Sequence, residues 1–237
     1  MDYQLKFDPK TIEHLGVKMY STLPPALAEL ISNAYDADAN LVRVVFHEKN
    51  GEPASITVKD NGKGMSAQEI QEKFLVIGRN RRYEEGDAPS MKYRRRPTGK
   101  KGLGKLALFG LAKEIAITTV QGGRMNEFSL NWDNLISSGD VYRPKSKIEN
   151  EKTGQSDGTT IVLKDLKRRS GFDLNSTADS LARIFIVDAD FRIVLQDAEG
   201  EVFEVTNERR YNQIDQEFFW EKGDLDLDPF EYLEAIS

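Results

Sequence analysis

The spacing of apolar positions changes several times along the chain, and each change predicts an element. Leu27, Leu30, Ile31 and Ala34 form one stripe at helical spacing. Thr22 stands where it can cap that helix, and Pro24 and Pro25 suit its first turn. Asp8 and Pro9 predict a short helix before it, to about Leu15. Residues 41–46 and 55–59 read as strands separated by the turn residues Asn50 and Gly51. Ser66, with Glu69 three residues on, opens a short helix with a capping box. Residues 79–101 are polar, basic and rich in turn formers, an irregular segment of the length that serves as a functional lid. From Gly102 the pattern turns helical through LGKLALFGLA, and strands follow at 114–120, 125–132 and 159–163. Asn175 is the expected cap of a helix holding Leu181, Ile184 and Phe185. The runs FRIVLQ and EVFEVT then form a hairpin across Asp197, Ala198, Glu199 and Gly200. Several strand pairs lie too close for a helical crossover, so an α/β fold with mostly antiparallel strands is expected.

Composition narrows the class. The 237 residues include no cysteine, which excludes disulfides and thiolate metal sites and suits a reducing cytoplasm. The N-terminus lacks a signal-peptide pattern, and no run approaches the ~20 apolar residues of a membrane span. A soluble, cytoplasmic protein with no membrane partner is expected. The net charge of -6 is unevenly placed: residues 79–105 hold ten Lys or Arg against three acids, and residues 215–234 hold eight acids against one lysine. The basic stretch is where phosphate or nucleic acid would be felt.

Four segments carry chemistry. In ELISNAYDADA, Glu29, Asn33 and Asp36 stand at i, i+4 and i+7 and project from one helix face. In VKDNGKGM a strand runs into Asp60, and Gly62 and Gly64 permit torsions and close approach that other residues forbid. In TGKKGLGKLALFG, Gly99, Gly102 and Gly104 precede an apolar helix, whose free N–H groups make an anion site, with Lys100, Lys101 and Lys105 adding charge. The Walker spacing and its Gly-Lys-Ser/Thr ending are absent. In SDGTTIVLKDL, Gly158 and Thr159 open a strand.

Taken in this order, the four segments resemble the GHKL superfamily of gyrase, the large heat-shock chaperone, histidine kinases and MutL, over roughly residues 15–165. ELISNAYDADA, FLVIGRNRR and GTTIVLKDL are most similar to the chaperone, MutL and MORC branch. The resemblance implies a Bergerat-type α/β two-layer sandwich, its mixed, mostly antiparallel sheet covered by helices on one face. It implies an ATP-binding domain over residues 1–170 with a lid around 79–104. Residues 171–237 would extend that domain toward a missing downstream one. It further implies ATP/ADP and Mg²⁺ as ligands, Glu29 as the general base and Asn33 as a metal ligand. Asp36 would line the adenine and ribose side, and Asp60 would receive the adenine amino group with Gly62, Gly64 and Met65 around it. Thr159 would support Asp60 through water. Gly99, Lys100, Lys101, Gly102, Leu103, Gly104 and Lys105 would hold the phosphates, with Arg79, Arg81 and Arg82 as further phosphate or partner contacts.

The implied activity is a magnesium-dependent ATPase whose lid closure drives homodimerisation in a larger protein. Two alternatives stand beside it. One is a nucleotide-gated DNA clamp using the basic run Lys92 to Arg96, with hydrolysis incidental. The other is a histidine kinase catalytic domain, disfavoured because those usually lack the Asp-Ala ending and no phosphoacceptor helix pair precedes the motifs.

Overall fold

Apolar alternation on the central strands builds one large sheet with one apolar face. The computed structural model describes residues 5–6, 22–77, 89–90, 92–96, 98, 104–138 and 141–212. The strands are β1 (Leu5–Lys6), β2 (Leu41–Lys49), β3 (Glu52–Asp60), β4 (Ala112–Gln121), β5 (Arg124–Asn131), β6 (Val141–Tyr142), β7 (Lys145–Lys152), β8 (Gly158–Leu166), β9 (Arg192–Gln196) and β10 (Val202–Val205). The helices are α1 (Leu23–Asp36), α2 (Ala67–Glu69, continuing as a π-turn over Ile70–Phe74), α3 (Gly104–Leu111), α4 (Trp132–Ser137), α5 (Leu174–Ile184) and α6 (Asn207–Tyr211). Eight strands form one sheet in the order β10-β9-β2-β3-β8-β4-β5-β7, and β1 pairs separately with β6. Every pairing is antiparallel except β2 with β9.

Register stacks the apolar positions into rows across the sheet. One row is Phe46, Ile56, Leu163, Ile115 and Leu130; the next is Val44, Val58, Ile161, Ile117 and Phe128. All ten side chains are buried. Against them lie the buried faces of α1 (Ala26, Leu27, Leu30, Ile31, Ala34) and α5 (Leu174, Ala178, Leu181, Ala182), and α1 also packs on α3. This is the two-layer arrangement that an amphipathic helix and a one-sided sheet both require.

Local chemistry corrects several boundaries. Thr22 occupies the cap position of α1 in extended backbone, but its side chain makes no cap hydrogen bond. Asp173 caps α5 instead of Asn175, accepting from the Ser176 N–H, and Phe185 ends that helix in extended backbone. Trp132 begins α4, because the Asn131 side chain caps a helix there. The capping box of Ser66 and Glu69 is complete, and Asn50 and Gly51 both turn with positive φ. The expected helix near residues 8–15 and the acidic stretch 215–234 lie outside the described residues.

Candidate functional site

The third row of the core-facing side breaks the apolar rule. Beyond Val44 and Val58 the register continues as Val42, Asp60, Thr159, Thr119 and Asn126. Four of these five are polar, and they sit where β3, β8, β4 and β5 run out from under the helices. Thr119 and Asn126 are fully buried. Polar groups in such a place need hydrogen bonds, and Asn126 Oδ1 accepts the Asn150 N–H at 2.8 Å. Asp60 Oδ1 accepts from the N–H of Gly62 at 2.8 Å and of Thr159 at 3.3 Å. The Thr119 and Thr159 hydroxyls lie 3.2 Å apart, and Thr119 Oγ1 also accepts the Met65 N–H at 2.9 Å. Thr159 supports Asp60 directly through its backbone N–H, and its hydroxyl turns to Thr119.

Burial pushes the Asp60 carboxyl up to about 6, against the opposing bonds from Gly62 and Thr159. Both bonds fall on Oδ1. Among the described residues, Oδ2 has no partner.

Residues 61–65 fold back over these strand ends, and two glycines make that possible. Gly64 has φ +66, and a Cβ there would stand 1.8 Å from the Val120 carbonyl oxygen. A Cβ on Gly62 would stand 2.7 Å from the Ala37 carbonyl oxygen. The same turn is stitched to the end of α1. Lys63 N–H donates to Ala37 O at 2.9 Å, and Asn61 Oδ1 accepts the N–H groups of Asn40 and Leu41, each at 3.0 Å. These bonds set the end of α1 beside Asp60. On α1 itself Glu29 is half-buried, Asn33 exposed and Asp36 half-buried, and at about 100° per residue the three span an arc of about 60°.

The segment before TGKKGLG is anchored to the same corner. Arg95 is 7% exposed. Its guanidinium donates to the carbonyls of Tyr35 at 3.2 Å, Ala39 and Asp190. It also lies over the rings of Tyr35, Tyr93 and Phe191, at 4.3, 4.4 and 5.2 Å from the centroids. A cation at the carbonyl end of a helix is favourably placed. Asp38, with φ +60, accepts the N–H groups of Lys92 at 3.0 Å and Tyr93 at 3.3 Å. Burial alone would raise the Asp38 carboxyl, but bonds from Ser90, Lys92 and Tyr93 and the Arg95 charge outweigh it and hold it low. Asp36 Oδ1 accepts from both the N–H and the hydroxyl of Thr98, each at 2.9 Å.

This anchoring corrects the basic run. Lys92, Arg94 and Arg96 are exposed, but Arg95 is consumed by the fold and is unavailable to a phosphate backbone. The structure thus gathers Asp60, Gly62, Gly64, Met65 and Thr159 into one corner, with the carboxyl end of α1 next to it. Gly99, Lys100, Lys101, Gly102 and Leu103, with Arg79, Arg81 and Arg82, lie outside the described residues. Gly104 and Lys105 open α3, the side chain of Lys105 not being described. One residue escaped the sequence reading: Thr119 could have been flagged as a polar residue continuing the Ile115, Ile117 alternation. The buried role of Arg95, read as part of the basic run, had no local signal.

Comparison with known proteins agrees with this geometry. A family model described as histidine kinase-, DNA gyrase B- and HSP90-like ATPase matches residues 20–159. A putative type II restriction enzyme HgiDII of Herpetosiphon aurantiacus is 31% identical over 189 residues, covering 78% of this chain and 30% of its own. The chaperone protein HtpG of Nitrosomonas eutropha is 28% identical over 164 residues (61% and 24%), and that of Nitrosospira multiformis 30% over 166 (62% and 25%). The chain spans between about a quarter and a third of the length of these relatives. With more than half of its residues inside the family match, the chain belongs to the histidine kinase-, DNA gyrase B- and HSP90-like ATPase family.

Proposed function

We propose that this domain binds ATP with Mg²⁺ and hydrolyses it, as the nucleotide-dependent switch of a longer, dimerising protein. The observation that carries the reading is the polar end row of the sheet, with Asp60 Oδ1 held by two backbone N–H groups and Oδ2 left to a ligand. An exocyclic amine is the complement of such an acceptor, and Gly62 and Gly64 let the 61–65 turn lie close against the strand ends beside it. Glu29 is positioned on α1 to take a proton from an attacking water. The N–H groups at the start of α3, with the lysines before it, suit phosphate oxygens.

The donors present fit magnesium. Asn33 presents an exposed side-chain amide, and among the described residues no group of three His, Cys, Asp or Glu gathers into a cage. An exposed amide oxygen suits an ion that takes one or two protein oxygens, keeps several waters and draws its other ligands from phosphates. Bound there, the ion would neutralise phosphate charge, while positioning falls to the chain's own groups.

The Asp60 carboxyl supplies the test. An amine donor favours the ionised form, so nucleotide binding pulls the Asp60 value down from about 6. Affinity is therefore full above about pH 6 and falls as pH drops below it, by up to about tenfold per unit. Adenosine, which has no phosphate to titrate, is expected to show the same fall in calorimetric titration. An adenosine affinity that is flat from pH 5 to 8 would remove Asp60 as the base-binding group, and no ATP binding at any pH would sink the reading. Without ligand the sign reverses for stability: a folded value raised from 3.8 to about 6 costs stability as pH rises through that window.

A second reading, duplex DNA as a partner, draws on the restriction-enzyme relative and on the exposed Lys92, Arg94 and Arg96. It predicts a salt-dependent mobility shift that weakens in Arg94→Ala/Arg96→Ala. Duplex binding that is absent at low salt, or indifferent to both changes, discards it.

A further inference from the structure

We propose that Thr119 is a positioning residue for recognition of the base amino group, acting through the two backbone N–H groups that orient the Asp60 carboxylate. The inference rests on the nucleotide reading above and adds to it the residue that fixes the acceptor.

Its basis is the convergence of two segments on one buried hydroxyl. Asp60 Oδ1 is held by the Gly62 N–H from the 61–65 turn and by the Thr159 N–H from the start of β8. These two bonds set the rotation of the carboxylate and decide where Oδ2 stands. Thr119 ties down both segments that supply them. Its Oγ1 accepts the N–H of Met65, at the far end of the turn, at 2.9 Å. On β8 the same oxygen stands 3.3 Å from the Gly158 carbonyl oxygen and 3.2 Å from the Thr159 hydroxyl. A hydroxyl has one proton and two lone pairs. Donation to Gly158, with Met65 and Thr159 donating to it, uses all three. Register places Thr119 beside Thr159, and Thr159 beside Asp60, in one row across β4, β8 and β3.

The shape of the position does not call for that oxygen. Ile115 and Ile117 are buried on the same face of β4, as Thr119 is, and valine would keep the branched outline while replacing the hydroxyl by a methyl. A buried hydroxyl is costly unless paired, so what threonine adds at 119 is the connection. Gln121, next on that face, also grips the segment: its Nε2 donates to Gly64 O at 3.4 Å and to Glu69 Oε2 at 2.9 Å. Thr119 is the one of the two whose printed bonds also reach β8. Preorganisation of an acceptor in this way lowers the cost of meeting a donor with fixed geometry.

The test compares Mg-ATP with purine riboside triphosphate, which is ATP without the amino group. Dissociation constants would be measured on the whole chain, with thermal unfolding as the folding control. Wild type is expected to favour ATP by about tenfold or more, the worth of one hydrogen bond to a charged group. Thr119→Val is expected to weaken ATP about tenfold and to leave the purine analogue within about twofold of wild type, so the preference disappears. Thr119→Ser keeps the hydroxyl and is expected to restore the preference. Equal losses of both nucleotides in Thr119→Val would make the residue merely structural and overturn the proposal. Unchanged ATP affinity, or a serine variant that behaves like the valine one, would do the same. If Thr119→Val fails to fold, Thr119→Cys decides the matter, because it fills a buried site with only a weak acceptor: the preference for ATP must fall. A wild type that prefers ATP alongside variants that keep that preference defeats this inference alone. A wild type that binds both nucleotides equally, or neither, defeats the Asp60 reading with it.

Discussion

Replacing Glu29 by alanine is expected to leave Mg-ATP bound and to slow phosphate release about 10²- to 10⁴-fold, the range a positioned general base supplies. Glu29 sits half-buried on α1, in the face that continues through Asn33 and Asp36. Its neighbours Ala26, Leu27, Leu30 and Ile31 are buried, so the helix is held rigidly and truncation at Glu29 removes the carboxylate without removing core contacts. On the proposed reading binding rests on Asp60 and on the phosphate-binding groups, so it should survive. Glu29→Gln, which keeps shape and loses basicity, is expected to match the alanine variant. Equilibrium nucleotide binding and single-turnover phosphate release separate the two effects. Undiminished release in both variants would take the base away from Glu29. Label appearing on protein instead of in free phosphate would transfer the domain to the kinase reading.

Gly64→Ala is the structural counterpart. It is expected to destabilise the domain by at least about 3 kcal/mol, lowering Tm by about 6–12 °C for a domain of this size, and to abolish ATP binding. The new Cβ would stand 1.8 Å from the Val120 carbonyl oxygen and 2.7 Å from its carbon. Neither is the end of a flexible side chain; both belong to the backbone of β4. The 61–65 turn must then lift off the strand ends, taking with it the Met65 bond to Thr119 and the Gly62 bond to Asp60. Gly122 provides the control. It also has positive φ, at +56, but nothing stands within 4 Å of its Cβ position. Gly122→Ala should therefore cost only the left-handed backbone, about 1 kcal/mol, with ATP affinity intact. Similar losses in the two variants would show that the close crossing over β4 does not hold the turn down.

The elements and their chemistry divide according to how local their cause is. Alternation on β2, β3, β4 and β8 and the stripe on α1 are written in neighbouring residues, as are the capping box at Ser66 and the Asn50-Gly51 turn. β7 was not legible. KSKIENEK has no apolar alternation because it is a sheet edge, exposed along most of its length, where charge prevents further pairing. Its strand identity comes from its partner β5 alone. The helix cap at Asp173 instead of Asn175 is a two-residue slip, since either side chain has the chemistry to cap.

At the site the same division holds. Asp60 running out of a strand into a glycine turn, and Glu29 with Asn33 and Asp36 on one helix face, follow from residue spacing, because a strand end and a helix face are short-range geometry. Sequence by itself thus determined the elements that carry a local pattern, the order of the motifs and the residue types each brings. What the tertiary structure alone decided is how those types are used. Register across β3, β8, β4 and β5 made Asp60, Thr159, Thr119 and Asn126 one polar row at the end of an apolar face. Long-range packing turned Arg95 from one of a run of surface cations into a buried clamp between α1 and the loop before β9. Asp36 met Thr98, 62 residues away. Each outcome depends on residues far apart in the chain competing for the same few ångströms, and that competition is settled only when the sheet closes and the helices pack on it.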